Sequence, residues 1–296
     1  MYEKIVVPLD GSDLAELALD YVTGLAVASR AHVTLLHVCA PDESEVERMH
    51  RVYLQHTEQV LRSRLEDAAS EGSTVDSAVL LGHPAEEILT YAEKNKVSLI
   101  AMTTHGRSGV RRWAMGSVAA RVARHSAVPV WLVRSDVPQE TIREGWPERR
   151  ILVLVDGSER AEQVLPYVTG LAKISGAEVV LLRVCEPLSA LAFYTHGMFG
   201  NAAGLAEQMM ANQREECNRY FAGLERRLRD AGIQVRSETL LGNVWNEIIS
   251  YIERDGFDLV ALTSHGRSGI VRWAVGSVAE TVLRKCPVPL LLVRAR

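Results

Sequence analysis

Four cysteines are spread over 296 residues, at Cys39, Cys185, Cys217 and Cys286, and no two stand in a CxxC spacing. A zinc ribbon or a dithiol redox motif is therefore not indicated. Charge of one sign is also scarce. The formal net charge of -4 gives no bulk electrostatic reason to expect nucleic-acid binding. Long apolar runs are missing: Val179 to Leu182 and Pro287 to Val293 fall far short of the roughly 20 residues that span a membrane. The opening MYEKIVVPLDGS lacks the apolar region and cleavage site of a signal peptide. No GxxxxGK[ST] occurs, so P-loop hydrolysis has no support. What is present is a globular composition, 47% apolar and 24% charged, in a chain long enough for two domains. The expectation is a cytoplasmic protein with neither a nucleic-acid nor a membrane partner.

The chain repeats itself, and the repeat decides the architecture. Thr103 to Arg134 and Thr263 to Arg294 align without gaps at 20 identical positions of 32. Lys4 to Ser12 (KIVVPLDGS) matches Arg150 to Ser158 (RILVLVDGS) at an offset of 146, and YVTGLA recurs at Tyr21 and Tyr167. At the two HGRSG loops the offset is 160, so the second copy holds a net 14 extra residues between Ala172 and Gly242. The segment Glu186 to Gly204 is the place expected for them, and its Phe193, Tyr194 and Phe199 suit a lid as well as a docked loop. The division expected is one domain over residues 1–136, a polar linker over 137–149, and a second domain over 150–296.

Within the first copy, strand and helix signals alternate. Ile5 to Leu9 is a continuous apolar run, as in a strand buried on both faces. Ser12 follows as an N-cap, with Leu14, Leu17, Tyr21, Leu25 and Ala28 at helical spacing. Strands are predicted at Val33–Val38, Thr74–Leu81, Leu99–Thr103 and Val128–Val133. Helices are predicted at Ser44–Glu71, Pro84–Lys94 and Ser117–His125. The second copy is expected to repeat this pattern. Such alternation implies right-handed crossovers and a parallel sheet, hence two doubly wound α/β domains in tandem.

Ligands of open parallel sheets bind beyond the carboxyl ends of the strands. Asp10-Gly11-Ser12 ends the first strand and the HGRSG loop ends the fourth. Charge then sorts their roles. The helix after Ser12 carries Asp13 and Glu16 in its first turn, which suit the helix dipole and repel a phosphate. The helix after Gly116 opens with Ser117, Val118 and Ala119 and has no acid there, while Arg107, Arg111 and Arg112 lie just upstream. Free N–H groups, a hydroxyl and guanidinium groups suit phosphate. Phosphates are therefore assigned to Gly106–Ser117, and hydroxyls or base N–H groups to Asp10. The second copy offers Asp156, Gly266, Arg267, Gly276 and Ser277. Structural readings compete with each: the glycines as turn residues, Ser117 as a simple N-cap, Asp10 and Asp156 as turn residues before Gly. His105 and His265 lack a nucleophile–base–orienter set, so no catalytic residue and no metal ligand is assigned. Trp113 and Trp273 are read as loop packing, and Cys39 and Cys185 as buried fillers.

The VVPLDGS and LVLVDGS starts, the THGRSG and SHGRSG loops, the GSVA helix starts and the VPVWLVR and VPLLLVR endings together resemble the universal stress protein family. The likeness spans essentially the whole chain as two tandem domains. It implies an adenine nucleotide alpha hydrolase-like sheet of order 3-2-1-4-5 in each. It also implies pairing of the domains through their last strands, with a further homodimer possible in principle. One branch of that family binds ATP, with Mg, through Gly-x2-Gly-x9-Gly-Ser/Thr. Gly106, Gly116 and Ser117 match the later part, as do Gly266, Gly276 and Ser277. Thr103 and Thr263 stand where the first glycine is usual. The resemblance further implies that Asp10 with Val38, and Asp156 with Val184, hold the nucleoside, while the helix starts at Val118 and Val278 border the phosphates. The function expected is a nucleotide-dependent stress or regulatory factor with at most slow hydrolysis. Its rival is an interaction or scaffold module of the same fold that binds no nucleotide.

Overall fold

The computed structural model describes residues 1–40, 47–68, 72–106, 115–134, 149–186, 202–266 and 276–295. The first copy runs β1 (Lys4–Pro8), α1 (Asp13–Ser29), β2 (His32–Cys39), α2 (Glu47–Asp67), β3 (Thr74–Leu81), α3 (Pro84–Lys94), β4 (Leu99–Thr103), α4 (Ser117–His125) and β5 (Val130–Val133). The second runs β6 (Arg150–Leu154), α5 (Glu159–Glu162), α6 (Leu165–Ser175), β7 (Glu178–Cys185), α7 (Ala202–Asp230), β8 (Val235–Leu241), α8 (Val244–Asp255), β9 (Leu259–Thr263), α9 (Ser277–Lys285) and β10 (Leu290–Val293).

All ten strands join one sheet, in the order β3-β2-β1-β4-β5-β10-β9-β6-β7-β8. Each half is parallel with order 3-2-1-4-5, and the halves meet where β5 and β10 run antiparallel. The central pair there is Trp131 with Leu291. These two are equivalent in the repeat, so the pseudo-twofold axis passes between them. A second Trp would overfill that spot, since Trp131 already buries 98% of its surface. Arg134 donates to the carbonyls of Arg284 (2.7 Å) and Cys286 (3.2 Å) at the end of α9. Arg294 returns the contact to the His125 carbonyl at the end of α4, at 3.3 Å. Each domain thus places a cation at the negative end of the other's helix.

The inner strands are buried on both faces, the edge strands β3 and β8 only partly, and period-two alternation splits the core into two layers. Ile5 and Val7 face the layer under α1, α2, α6 and α7, while Val6 faces the layer under α3, α4, α8 and α9. β5 and β10 start two residues later than the apolar runs suggest. Pro129 and Pro289 lack an N–H and join only through their carbonyls, which accept from Ile100 and Val260. The second copy also departs from the first where α1 is one helix: α5 and α6 are separate, with Pro166 opening α6.

The inserted length is distributed differently from a single 14-residue block. Tyr53 and Tyr220, and the Ser77–Glu58 and Ser237–Glu225 hydrogen bonds (2.7 and 2.6 Å), place α2 and α7 in a register offset by 167. The chain therefore gains length before α7 and gives part of it back after it. Residues 187–201, which include most of the segment considered as a lid, lie outside the described residues, and Ala202 to Gly204 belong to α7. The linker residues 137–148 lie outside them too.

Candidate functional site

Two clefts open at the carboxyl ends of the strands, one in each domain, with volumes of about 300 Å³ and 500 Å³. On one wall the chain leaves β1 through Asp10. Its Oδ1 accepts from the Ser12 amide (3.1 Å) and hydroxyl (2.6 Å), while Ser12 Oγ accepts from the Ala15 amide and caps α1. Asp156 and Ser158 repeat this at 2.9 and 2.6 Å. So α1 and α5 have their N-termini closed by a serine and by acids in the first turn.

On the facing wall, Gly116 is the N-cap of α4 and carries no side chain to cap it. The first intrahelical bond runs from Ala120 N–H to the Gly116 carbonyl at 2.9 Å. The amides of Ser117, Val118 and Ala119 precede that bond and point toward the cleft end of the helix. Gly276 and α9 repeat the arrangement, with Glu280 N–H to the Gly276 carbonyl at 2.9 Å. Ser117 and Ser277 are the first helical residues and not the N-caps, which corrects the simplest structural reading of them.

Two glycines have different reasons to be glycine. A Cβ on Gly106 would stand 1.9 Å from Asp10 Oδ2, and one on Gly266 would stand 1.9 Å from Asp156 Oδ2. These glycines make room for the carboxylate that crosses the cleft floor. A Cβ on Gly116 would meet the Thr104 carbonyl at 3.2 Å, so a large residue there strains the loop as well as the helix start.

Thr103 and Thr263 are buried and their hydroxyls point into the loop. They donate to the carbonyls of His105 (2.7 Å) and His265 (2.9 Å). His105 Nδ1 lies 3.0 Å from Thr104 Oγ1, and His265 Nδ1 lies 3.0 Å from Ser264 Oγ. Asp10, Val38, Thr103, Gly106, Gly116, Ser117 and Val118 all line the first cleft. Asp156, Val184, Thr263, Gly266, Gly276, Ser277 and Val278 line the second. Arg107 and Arg267, with Arg111, Arg112, Trp113 and Trp273, lie outside the described residues.

Among the lining residues of the second cleft that sequence reasoning missed, Arg183, Trp245 and Gln213 carry large polar or aromatic side chains. Arg183 is 5% exposed, 3.7 Å from Glu216, with its guanidinium 5.9 Å from the centre of the Tyr220 ring. Aligning the repeats exposes two of them, since Arg183 replaces His37 and Trp245 replaces Ala85. Behind the first cleft, Tyr53 donates to Glu16 at 2.8 Å, and burial followed by the Glu16 carboxylate pushes its phenol well above the usual range.

A pair of doubly wound α/β domains, each setting an uncapped helix start against a strand-end carboxylate, defines the class: a tandem protein with two clefts of one design. The family follows from comparison. The chain belongs to the universal stress protein family, whose model matches residues 1–134 and again 148–294. It is 33% identical to universal stress protein MJ0531 of Methanocaldococcus jannaschii over 141 residues, which cover 45% of this chain and 83% of that one. It is 21% identical to universal stress protein Slr1230 of Synechocystis across 99% of this chain and 100% of that one. In fold it is similar to a universal stress protein from Archaeoglobus fulgidus, with a TM-score of 0.67 and 22% identity over 99% of both chains. Among the described residues, no helix is long and apolar enough to cross a membrane.

Proposed function

We propose that each domain binds an adenine nucleotide, ATP with its Mg, and that the protein acts in the cytoplasm as a nucleotide-dependent stress or regulatory factor with little or no turnover. The phosphates lie at the amides of Ser117 and Val118 in the domain of residues 1–136, and at those of Ser277 and Val278 in the domain of residues 150–296. The nucleoside lies toward Asp10 and Val38, and toward Asp156 and Val184. Mg enters with the phosphates it bridges. The observation that carries this reading is the contrast between two kinds of helix start. In each domain the start beside the carboxylate is closed by serine and acid, and the start across the cleft has no side-chain cap. An anion is stabilised at the second kind of start and repelled at the first. Clefts of about 300 and 500 Å³ are within the range that holds small ligands.

The experiment is thermal unfolding with millimolar ATP-Mg, together with acid release of any co-purified nucleotide. Saturation at about a hundred times Kd stabilises the native state by about 2.7 kcal/mol. Ser117→Glu with Ser277→Glu puts a carboxylate on the first helical residue of both starts, of which only α9 already has an acid in its first turn, Glu280. It should remove the ATP response while leaving the unliganded melting temperature nearly unchanged. No response in the parent protein and no released nucleotide would overturn the reading. One observation favours the rival, an interaction module without nucleotide: Thr103 and Thr263 spend their hydroxyl protons on the loop, so they add bulk to the cleft without a donor.

A further inference from the structure

Away from the nucleotide cleft, the first domain gathers three side chains that ligate soft metals. His37 and Cys39 stand two apart on β2 and so share a face at its carboxyl end, and His50 comes from the first turn of α2. They are 3%, 0% and 3% exposed. Their ligating atoms all lie within 4.8 Å of one another. The two imidazoles stack, with ring centres 4.0 Å apart and planes 18° from parallel. His37 Nδ1 is 2.7 Å from the Leu9 carbonyl. A carbonyl only accepts, so Nδ1 carries the hydrogen and the neutral ring keeps its lone pair on Nε2. A backbone carbonyl holding one ring nitrogen is the usual support behind a metal-bound histidine.

The fold does not require this set. In the register set by Tyr53 and Tyr220, the same positions of the second domain hold Arg183, Cys185 and Cys217, with the two sulfurs 3.3 Å apart. Burying two imidazoles beside a thiol has a desolvation cost that an apolar filler would avoid. None of the three side chains lines the first cleft, so the cluster is separate from the nucleotide site.

The geometry points to a metal site in the first domain, at which His37 Nε2, Cys39 Sγ and a ring nitrogen of His50 bind a soft d10 cation, Cu(I). Two nitrogens and a sulfur exclude the hard ions Mg and Ca, which take oxygen ligands. Binding releases the Cys39 proton to solvent, and the thiolate and two neutral imidazoles become the ligands. Their single negative charge cancels that of Cu(I), so the buried complex is neutral with three donors. Zn(II) would leave a positive charge in the core and call for a fourth ligand. Metal bonds of about 2.0 to 2.3 Å hold ligand atoms less than about 4 Å apart. A set spread over as much as 4.8 Å must therefore draw together when the ion binds.

The test uses the full chain carrying Cys217→Ser, which silences the thiol pair of the second domain. Under anaerobic reducing conditions it is dialysed against Cu(I) or Zn(II) with a competing chelator, and bound metal is counted by mass spectrometry. One Cu(I) per chain is expected. Cys39→Ser and His50→Ala should each weaken it by at least about tenfold. His50→Cys, which installs the second domain's own residue, should keep one ion and raise the sulfur ligands seen by X-ray absorption from one to two. This variant separates a lost ligand from a lost fold. No bound ion, or binding that survives both Cys39→Ser and His50→Ala, would overturn the site. Uptake of Zn(II) in preference to Cu(I) would overturn the choice of ion.

Discussion

The two domains keep the same backbone where the cleft meets the α4 and α9 helix starts and differ farther along it. A Cβ at Gly106 or Gly266 would stand 1.9 Å from the facing aspartate, and one at Gly116 or Gly276 would stand 3.2 Å from the preceding loop carbonyl. Farther along the wall, by contrast, the second cleft is lined by Arg183 and Trp245, where the repeat has His37 and Ala85 in the first domain, neither of which lines the first cleft. The second cleft is larger, and its helix α9 carries an acid, Glu280, in the first turn, paired with Arg284. Main-chain amides survive every substitution except one to proline, so duplicated domains diverge mainly through the side chains that border them. The two clefts share one arrangement of helix start and carboxylate in two different surroundings.

The largest expected effect breaks what the domains share. Gly106→Ala or Gly266→Ala forces the aspartate out of its bond with Ser12 or Ser158, at a cost of about 1 to 3 kcal/mol in denaturant unfolding. Combining Gly106→Ala with Asp10→Ala should cost less than the two singles added together, because the clash partner is gone. Strict additivity would show that Asp10 and Gly106 do not press on each other.

A smaller effect sharpens the difference. Under the nucleotide reading, Arg183→Met should weaken the second cleft by roughly tenfold, about 1.4 kcal/mol, and reduce its salt sensitivity. The first cleft should be unmoved, so calorimetry should resolve two affinities whose spacing changes. If both affinities shift together, Arg183 acts through the fold and not through its own cleft.

The smallest concerns the domain interface. Arg134 caps α9 through two carbonyl contacts and Arg294 caps α4 through one longer contact. Arg134→Ala should cost about 1 kcal/mol and Arg294→Ala about 0.3 kcal/mol, both shrinking in high salt. An Arg294→Ala loss equal to that of Arg134→Ala would remove the asymmetry.

Much of the fold was legible because its signals are local. Thr74–Leu81, Pro84–Lys94, Leu99–Thr103 and Ser117–His125 have the same bounds in the structure as in the sequence reading. Buried parallel strands read as apolar runs, and glycine or proline marks where they stop. The prolines that delay β5 and β10 were equally visible, but their effect depends on which ladder they enter. On the site, the Gly-Ser helix starts and the two aspartates were placed by their position at the strand ends, and both segments line the clefts.

The chain's own text determined the duplication, the α/β class, the family and the two pairs of segments, strand-end aspartate and Gly-Ser helix start, that face each other in the clefts. These follow from periodicity, spacing and identity between copies. Tertiary structure alone decided how those residues are spent. Thr103 turns its hydroxyl into the loop, Asp10 lies against Gly106, and α7 slides to a register that no constant offset between the copies predicts. That same register brings His50 onto His37 and Cys39, and Cys217 onto Cys185. Residues on a strand and on the next helix meet according to how far the intervening loop lets the helix slide. Spacing along the chain does not encode that distance, and only packing against the sheet settles it.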